Sequence, residues 1–175
     1  LVNHEGIKKS KLKVVVDGVN STGGIIVPLL LKQLNIDFQE IHCEPTGHFA
    51  HNPEPLKKNL LDLSNKVVEF NADLGIAVDP DVDRLIFICE NGEIFGEENT
   101  IVACSDYVLS KTPGTTVSNL SSTRALRDVT EKHGQSYFTA AVGEVNVVNK
   151  MKECNAVIGG EGNGGVIYPE SHYGR

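Results

Sequence analysis

Short runs of β-branched and aliphatic residues recur along this chain, each followed by a longer segment of helical period, and no other feature limits its possible folds so strongly. "KVVVDG" (13–18) predicts a buried strand, "GGIIVPLLLKQLN" (23–35) a helix with Pro28 early in it, and "FQEIHC" (38–43) a second strand. In "EPLKKNLLDLSNKVVEFN" (54–71), Leu56, Leu60, Leu63 and Val67 fall on one face of a helix. "LGIAV" and "LIFIC" then read as two strands with a short acidic connection between them.

After Gly96 the same kind of pattern restarts. "EENTIVACSDYVLSK" (97–111) predicts a helix that ends before Pro113 and Gly114, and "TTVSNL" (115–120) a strand. A helix follows from "SSTRALRDVTEKHG" (121–134), with Ser121 or Ser122 as its N-cap and Gly134 as its stop. Strand "SYFTAAV" (136–142), helix "EVNVVNKMKECN" (144–155) and strand "AVIGG" (156–160) complete it. Strands separated by helices imply parallel pairing through right-handed crossovers, whereas a short acidic connection makes its own two strands an antiparallel or edge pair. The expected fold is α/β: two small consecutive domains, 1–96 and 97–175, each a mixed β-sheet packed between helices, with no low-complexity linker.

The chain has 175 residues, and 40% of them are hydrophobic, enough for a real core. Its 16 basic and 23 acidic side chains give a formal charge of −7, which argues against general nucleic-acid or anionic-membrane binding and for a small partner. Cys43, Cys89, Cys104 and Cys154 form no C-x-x-C pair and read as buried thiols of a cytoplasmic protein. The apolar run "IIVPLLL" (25–31) is too short to span a membrane, and the opening "LVNHEGIKKS", without an initiator Met, reads as a cut into a longer polypeptide.

"AVDPDVDR" places Asp79, Asp81 and Asp83 at alternate positions on the turn between the two strands. Three carboxylates so close repel one another, so the fold must keep them solvated or supply a cation. Pro80 stiffens the turn and holds the carboxylates near one another, and hard oxygen ligands at close range select Mg²⁺ or Ca²⁺. The second polar stretch, "GGEGNGG" (159–165), surrounds Glu161 with glycines and Asn163 at a strand end, where backbone can approach a ligand while a carboxylate accepts hydrogen bonds from sugar hydroxyls. A Gly-rich hairpin with a solvated Glu is an equally simple reading. Neither G-x-G-x-x-G nor G-K-[ST] is present, so nucleotide binding by those motifs is unsupported. His48 and His51 share a loop, but no third ligand lies near them in sequence, so a metal there is not expected. Arg124 and Arg127 follow "NLSST" near a helix start, where an Arg could meet a substrate phosphate.

"DLGIAVDPDVDR" resembles the metal-binding loop of the α-D-phosphohexomutases, usually D-G-D-x-D-R, and "GGEGNGG" resembles their sugar-binding loop, usually G-E-x-S-G. "VVVDGVNSTGG", "EPTGHFAHNPEPL" and "AAVGEVNVV" are similar in kind and order to further segments, so the resemblance covers nearly the whole chain. It implies the second domain and most of the third of a four-domain enzyme that interconverts 1- and 6-phosphosugars of glucose, mannose or glucosamine through a phosphoserine and a bisphosphorylated intermediate. By the same resemblance Asp79, Asp81 and Asp83 bind Mg²⁺, Arg84 neutralises the transferring phosphoryl group, and Glu161 and Asn163 recognise the phosphosugar substrate. The family's T-A-S-H-N-P nucleophile loop and its phosphate loop are not found here. "FAHNP" (49–53) has no hydroxyl before His51, so domains I and IV are expected elsewhere in the same protein, and this segment alone is expected to be folded but inactive. The third domain is expected to leave apolar surface exposed near 166–175, and Arg175 lies where the family continues toward its active site.

Pro80 stands where the family has Gly, Asn163 where Ser is usual, and Gly165 where a His often follows; the acid in "VGE" (142–144) favours glucosamine phosphate. Three other readings remain. An EF-hand would use Asp79, Asp81, Asp83 and Glu90, but Arg84 occupies the required Gly position. A haloacid-dehalogenase-type aspartyl phosphatase would phosphorylate Asp79, but a helix should follow rather than strand "LIFIC". A noncatalytic module requires that the flanking domains be missing from the gene.

Overall fold

The computed structural model describes residues 4–174 and divides between Gly96 and Glu97 into two compact units. Arg175 lies outside the described residues. The first unit contains α1 (His4–Lys9), β1 (Lys13–Asp17), α2 (Gly23–Gln33), β2 (Asp37–Ile41), α3 (Leu61–Phe70), β3 (Leu74–Val78) and β4 (Leu85–Cys89). Its sheet has the order β2-β1-β3-β4, with β1 parallel to both neighbours and β4 antiparallel to β3.

Because side chains alternate across a strand, the single run "VVV" in β1 serves both faces of the sheet. Val15 joins Leu60, Leu63, Val67, Ile86 and Ile88 on one side, while Val14 and Val16 join Val27, Leu31 and Ile36 on the other. The start of α2 sits so close to the chain after β2 that a methyl group added at Gly24 would overlap the backbone of Cys43.

The helix expected over 54–71 is shorter. A 3₁₀ turn at Lys57–Asn59 comes first, and α3 begins only at Leu61. Pro55 disfavours helical backbone at Glu54, and the Asn52 and Asn59 side chains bond the backbone of Glu54, which stabilises a loop instead. Leu60, Leu63 and Val67 are buried as the period required, but Leu56 only partly.

The second unit contains α4 (Glu97–Leu109), β5 (Thr116–Asn119), α5 (Ala125–Lys132), β6 (Tyr137–Ala140), α6 (Glu144–Cys154), β7 (Ile158–Glu161) and β8 (Gly165–Ile167). The sheet order β6-β5-β7-β8 repeats the first, with three parallel strands and one antiparallel edge strand. Ser121 and Ser122 do not cap α5; its N-cap is Arg124, and both hydroxyls turn back to the side chain of Asn119. The segment expected to expose apolar surface is largely covered, because β8 returns along β7 and buries Ile167, while Val166, Tyr168 and Tyr173 pack against the two cores. Large exposed aliphatics lie instead at Leu120, Val142 and Val145, beyond the ends of β5 and β6.

Candidate functional site

In the first unit the three parallel strands end at one edge, β1 at Asp17, β2 at Ile41 and β3 at Val78. Ligands of open α/β sheets collect at this carboxyl edge because successive strand-to-helix connections converge there. Residues 79–84 connect β3 to β4, and Val78 pairs with Leu85 across the turn.

Asp79 is fully buried and holds this connection together. Its Oδ1 accepts the backbone N–H groups of Asp83 and Arg84, each at 3.0 Å, and its Oδ2 accepts the Nε–H of Arg84 at 2.6 Å. Val82 adopts a left-handed φ of 63° and donates its N–H to the Asp79 carbonyl at 3.1 Å. From the β1–α2 connection, the Ser21 and Thr22 hydroxyls donate to the Pro80 carbonyl at 3.0 and 2.6 Å. Burial alone would raise the Asp79 carboxyl, but the hydrogen bonds from Arg84 and Asp83 and the Arg84 charge outweigh it and hold the carboxyl below its ordinary 3.8. The loop is thus shaped before any ligand arrives, and one oxygen from each of Asp79, Asp81 and Asp83 lies within 4.8 Å of the others.

Three hard carboxylate donors on a pre-shaped turn fit Mg²⁺ better than a softer ion. The EF-hand alternative fails on topology: strands flank the turn, and β4 carries Glu90 to the far end of the hairpin. A phosphorylated-Asp site of the dehalogenase kind is disfavoured because the chain returns directly as β4 rather than as a helix.

In the second unit the carboxyl edge is formed by Asn119, Ala140 and Glu161, the last residues of β5, β6 and β7. Glu161 lies in a hairpin, but the residue is buried, 5% exposed. Its Oε1 accepts the Asn119 Nδ2–H at 2.6 Å and the Gly143 N–H at 3.2 Å, which joins the "GGEGNGG" and "VGE" segments. Asn119 Oδ1 accepts the Ser121 and Ser122 hydroxyls at 3.1 and 2.7 Å, and Ser122 Oγ accepts the Gly162 N–H at 2.9 Å. Asn163, partly exposed at the turn, accepts the Gly165 N–H at 3.1 Å. Arg124 and Arg127 line a depression of about 160 Å³ beside Asn119 and Ser122, with Arg127 Nε 3.6 Å from Asp128 and 3.7 Å from Glu131.

Asn119 had no sequence signal beyond its place at a strand end, yet it is the residue that orients Glu161. Asn119→Ala is expected to lower the stability of this unit by about 1–3 kcal/mol, because a buried carboxylate loses its donor. Asn119→Asp should be worse than Ala, since it places a second carboxylate oxygen against Glu161 Oε1. Urea unfolding of both variants checks this; wild-type midpoints in both would mean that Asn119 does not hold Glu161.

Of the two loop histidines, His48 joins no cluster of ligating side chains among the described residues, whereas His51 meets Asp17 and His42. Those partners are 34 and nine residues away in sequence, on the end of β1 and just after β2, so local spacing could not reveal them.

Two family models match the chain: phosphoglucomutase/phosphomannomutase, alpha/beta/alpha domain II, over residues 1–92, and domain III of the same set over 97–175. The chain is 38% identical to a phosphoglucomutase/phosphomannomutase of Thermococcus kodakarensis, over 99% of its own length and 39% of that protein's. It is 33% identical to a protein of Methanopyrus kandleri named "Probable phosphoglucosamine mutase", over 92% of its own length and 36% of the other's. A crystal structure of a phosphoglucomutase/phosphomannomutase family protein from Burkholderia thailandensis superposes with a TM-score of 0.86 at 29% identity, covering 98% of this chain and 39% of that one. The chain thus spans about two-fifths of the length of the relatives it matches.

Proposed function

This chain belongs to the phosphoglucomutase/phosphomannomutase family, and on that premise we propose that it supplies the metal loop and the sugar-recognition loop of a mutase converting hexose 1-phosphate to hexose 6-phosphate. The observation that carries this reading is the acidic turn, in which Asp79 pre-shapes a loop that gathers three carboxylates. Asp79, Asp81 and Asp83 would hold Mg²⁺, which when bound offsets the negative charge of a transferring phosphoryl group. Arg84, anchored to Asp79 through Nε, has a side chain that is 31% exposed, and its guanidinium would meet the same phosphoryl group. Glu161, with Asn119 and the Gly143 N–H fixing its carboxylate, and Asn163 at the hairpin turn would read the sugar hydroxyls. The phosphoserine that accepts and returns the phosphoryl group would come from another part of the same protein.

The acid at Glu144 beside Gly143 supports glucosamine phosphate as the preferred sugar. All four cysteines are free thiols, which supports a reducing, cytoplasmic setting. Among the described residues no helix is long and apolar enough to cross a membrane.

The full-length protein, supplied with a hexose 1,6-bisphosphate activator, is expected to convert glucosamine 1-phosphate to its 6-phosphate faster than the glucose and mannose analogues. Chelation should abolish turnover and Mg²⁺ should restore it. Turnover indifferent to chelation would overturn the metal assignment, and release of inorganic phosphate in place of isomerisation would favour the aspartyl phosphatase.

A further inference from the structure

We infer that Asp17, His42 and His51 form a second cation site in the first unit, for a transition-metal ion of the Zn²⁺ type, chemically distinct from the all-carboxylate turn. Asp17 ends β1 and is 1% exposed; His42 follows β2 directly; His51 lies on the long loop that leads to α3. Asp17 Oδ1 is committed to the Val19 N–H at 3.0 Å, which leaves Oδ2 facing both rings, 3.0 Å from His42 Nδ1 and 3.1 Å from His51 Nε2. One ligating atom from each of the three residues lies within 4.8 Å of the other two.

The far side of the His51 ring fixes the place of its first proton. His51 Nδ1 is 2.8 Å from the carbonyl oxygen of Asn52, which can only accept, so Nδ1 carries a proton. In the neutral ring Nε2 is then a lone pair, and it points at a carboxylate oxygen, which is also an acceptor. Either a second ring proton or a bound metal ion bridges them. His42 Nδ1 faces the same Asp17 oxygen, while its Nε2 lies 3.9 Å from the exposed Asp62 carboxylate, beyond hydrogen-bond distance. A metal ion bound by Nε2 of His51, Nδ1 of His42 and Oδ2 of Asp17 satisfies all of them. The His51 Nδ1–H···O=C bond is then the outer contact that metal-bound imidazoles usually make.

Both distances to Asp17 Oδ2 agree with that reading. Donor atoms about 2.0–2.1 Å from one ion, at tetrahedral to octahedral angles, lie about 2.9–3.4 Å apart. Two imidazoles and one carboxylate suit Zn²⁺ and its neighbours rather than Mg²⁺. Cys43, next in the chain, is engaged elsewhere, its Sγ donating to the Ile41 carbonyl at 3.2 Å. His42 also holds a left-handed φ of 49°, unusual for a residue with a side chain, while its carbonyl accepts the Asn20 N–H at 2.6 Å. The backbone is constrained where the ring must reach Asp17. The rings stay partly accessible, at 24% and 17%, so solvent can complete the coordination.

The purified protein, stripped with chelator, would be dialysed against Zn²⁺ and, separately, titrated with Co²⁺ and followed by visible absorption. Wild type and Asp81→Asn should each bind one ion at this site, while His42→Gln and His51→Gln weaken it by about tenfold or more. Equal binding in wild type and both glutamine variants, loss in Asp81→Asn alone, or no binding below millimolar Zn²⁺ would overturn the inference and leave a carboxylate hydrogen-bonded to two histidine rings. If a glutamine variant fails to fold, the wild-type protein decides. Its Co²⁺ form should show strongly shifted, exchangeable imidazole N–H resonances in the NMR spectrum, and their absence overturns the site.

Discussion

In the full-length protein Asp81→Asn is expected to lower mutase turnover about a hundredfold or more while leaving the unfolding midpoint unchanged. Asp81 is exposed at the tip of the acidic turn, whereas the bonds that shape the turn belong to Asp79. Replacing one anionic donor by a neutral amide weakens the hold on a hard cation and leaves phosphoryl charge less compensated, with no loss to the fold. Asp79→Asn should instead lower turnover and stability together, because the buried acceptor of two backbone donors and of Arg84 is altered. Near-wild-type turnover in Asp81→Asn, measured at saturating Mg²⁺ and at a tenth of it, would sink the assignment of this carboxylate as a ligand.

Gly160→Ala is expected to damage the fold of the second unit severely. Position 160 is buried in β7 opposite Val166, and a methyl there would overlap the carbonyl oxygen of Gly165 and press on Ile101. Both Gly160 and Gly165 belong to paired backbone, so no rotamer change relieves the overlap; the β7–β8 hairpin must open. A loss of about 3 kcal/mol or more follows for the second unit, a fall of more than about 10 °C in its unfolding transition. Because Glu161 is the next residue, sugar kinetics in the full-length protein should fail with it. A wild-type calorimetric profile for Gly160→Ala would show that the hairpin is not as closely paired as described.

That expectation also corrects what the glycine-rich stretch suggested. The glycines around Glu161 invite a reading in which backbone approaches a ligand, and Gly160 in fact admits the neighbouring strand. Sequence cannot separate the two, because both need only the absence of a Cβ. The Glu161 carboxylate is similar: a Glu in a Gly-rich turn reads as solvated, yet it is buried against a residue 42 positions earlier, Asn119.

Much of the architecture was written locally. The β-branched runs 14–16, 74–78 and 85–88, the helical stripe through Leu60, Leu63 and Val67, and the shortness of the acidic connection together require parallel strands with one antiparallel edge. These depend on side-chain period and chain length, which neighbours in sequence carry. The boundary of α3 was not legible, because Asn52, Asn59 and two prolines compete with the helix over the same residues.

The sequence by itself determined which residues could ligate a cation on the acidic turn, since Asp79, Asp81 and Asp83 are confined to one stiff connection whatever surrounds them. Only the tertiary structure decided that Asp79 is the buried anchor of that turn, that Asn119 and Gly143 orient Glu161, and that His51 pairs with Asp17 and His42 rather than with its loop neighbour His48. The physical reason is common to all three. Parallel strands bring residues far apart in sequence to one edge of a sheet, and hydrogen bonds and ligand distances act over about 3 Å of space, with no regard to how much chain lies between.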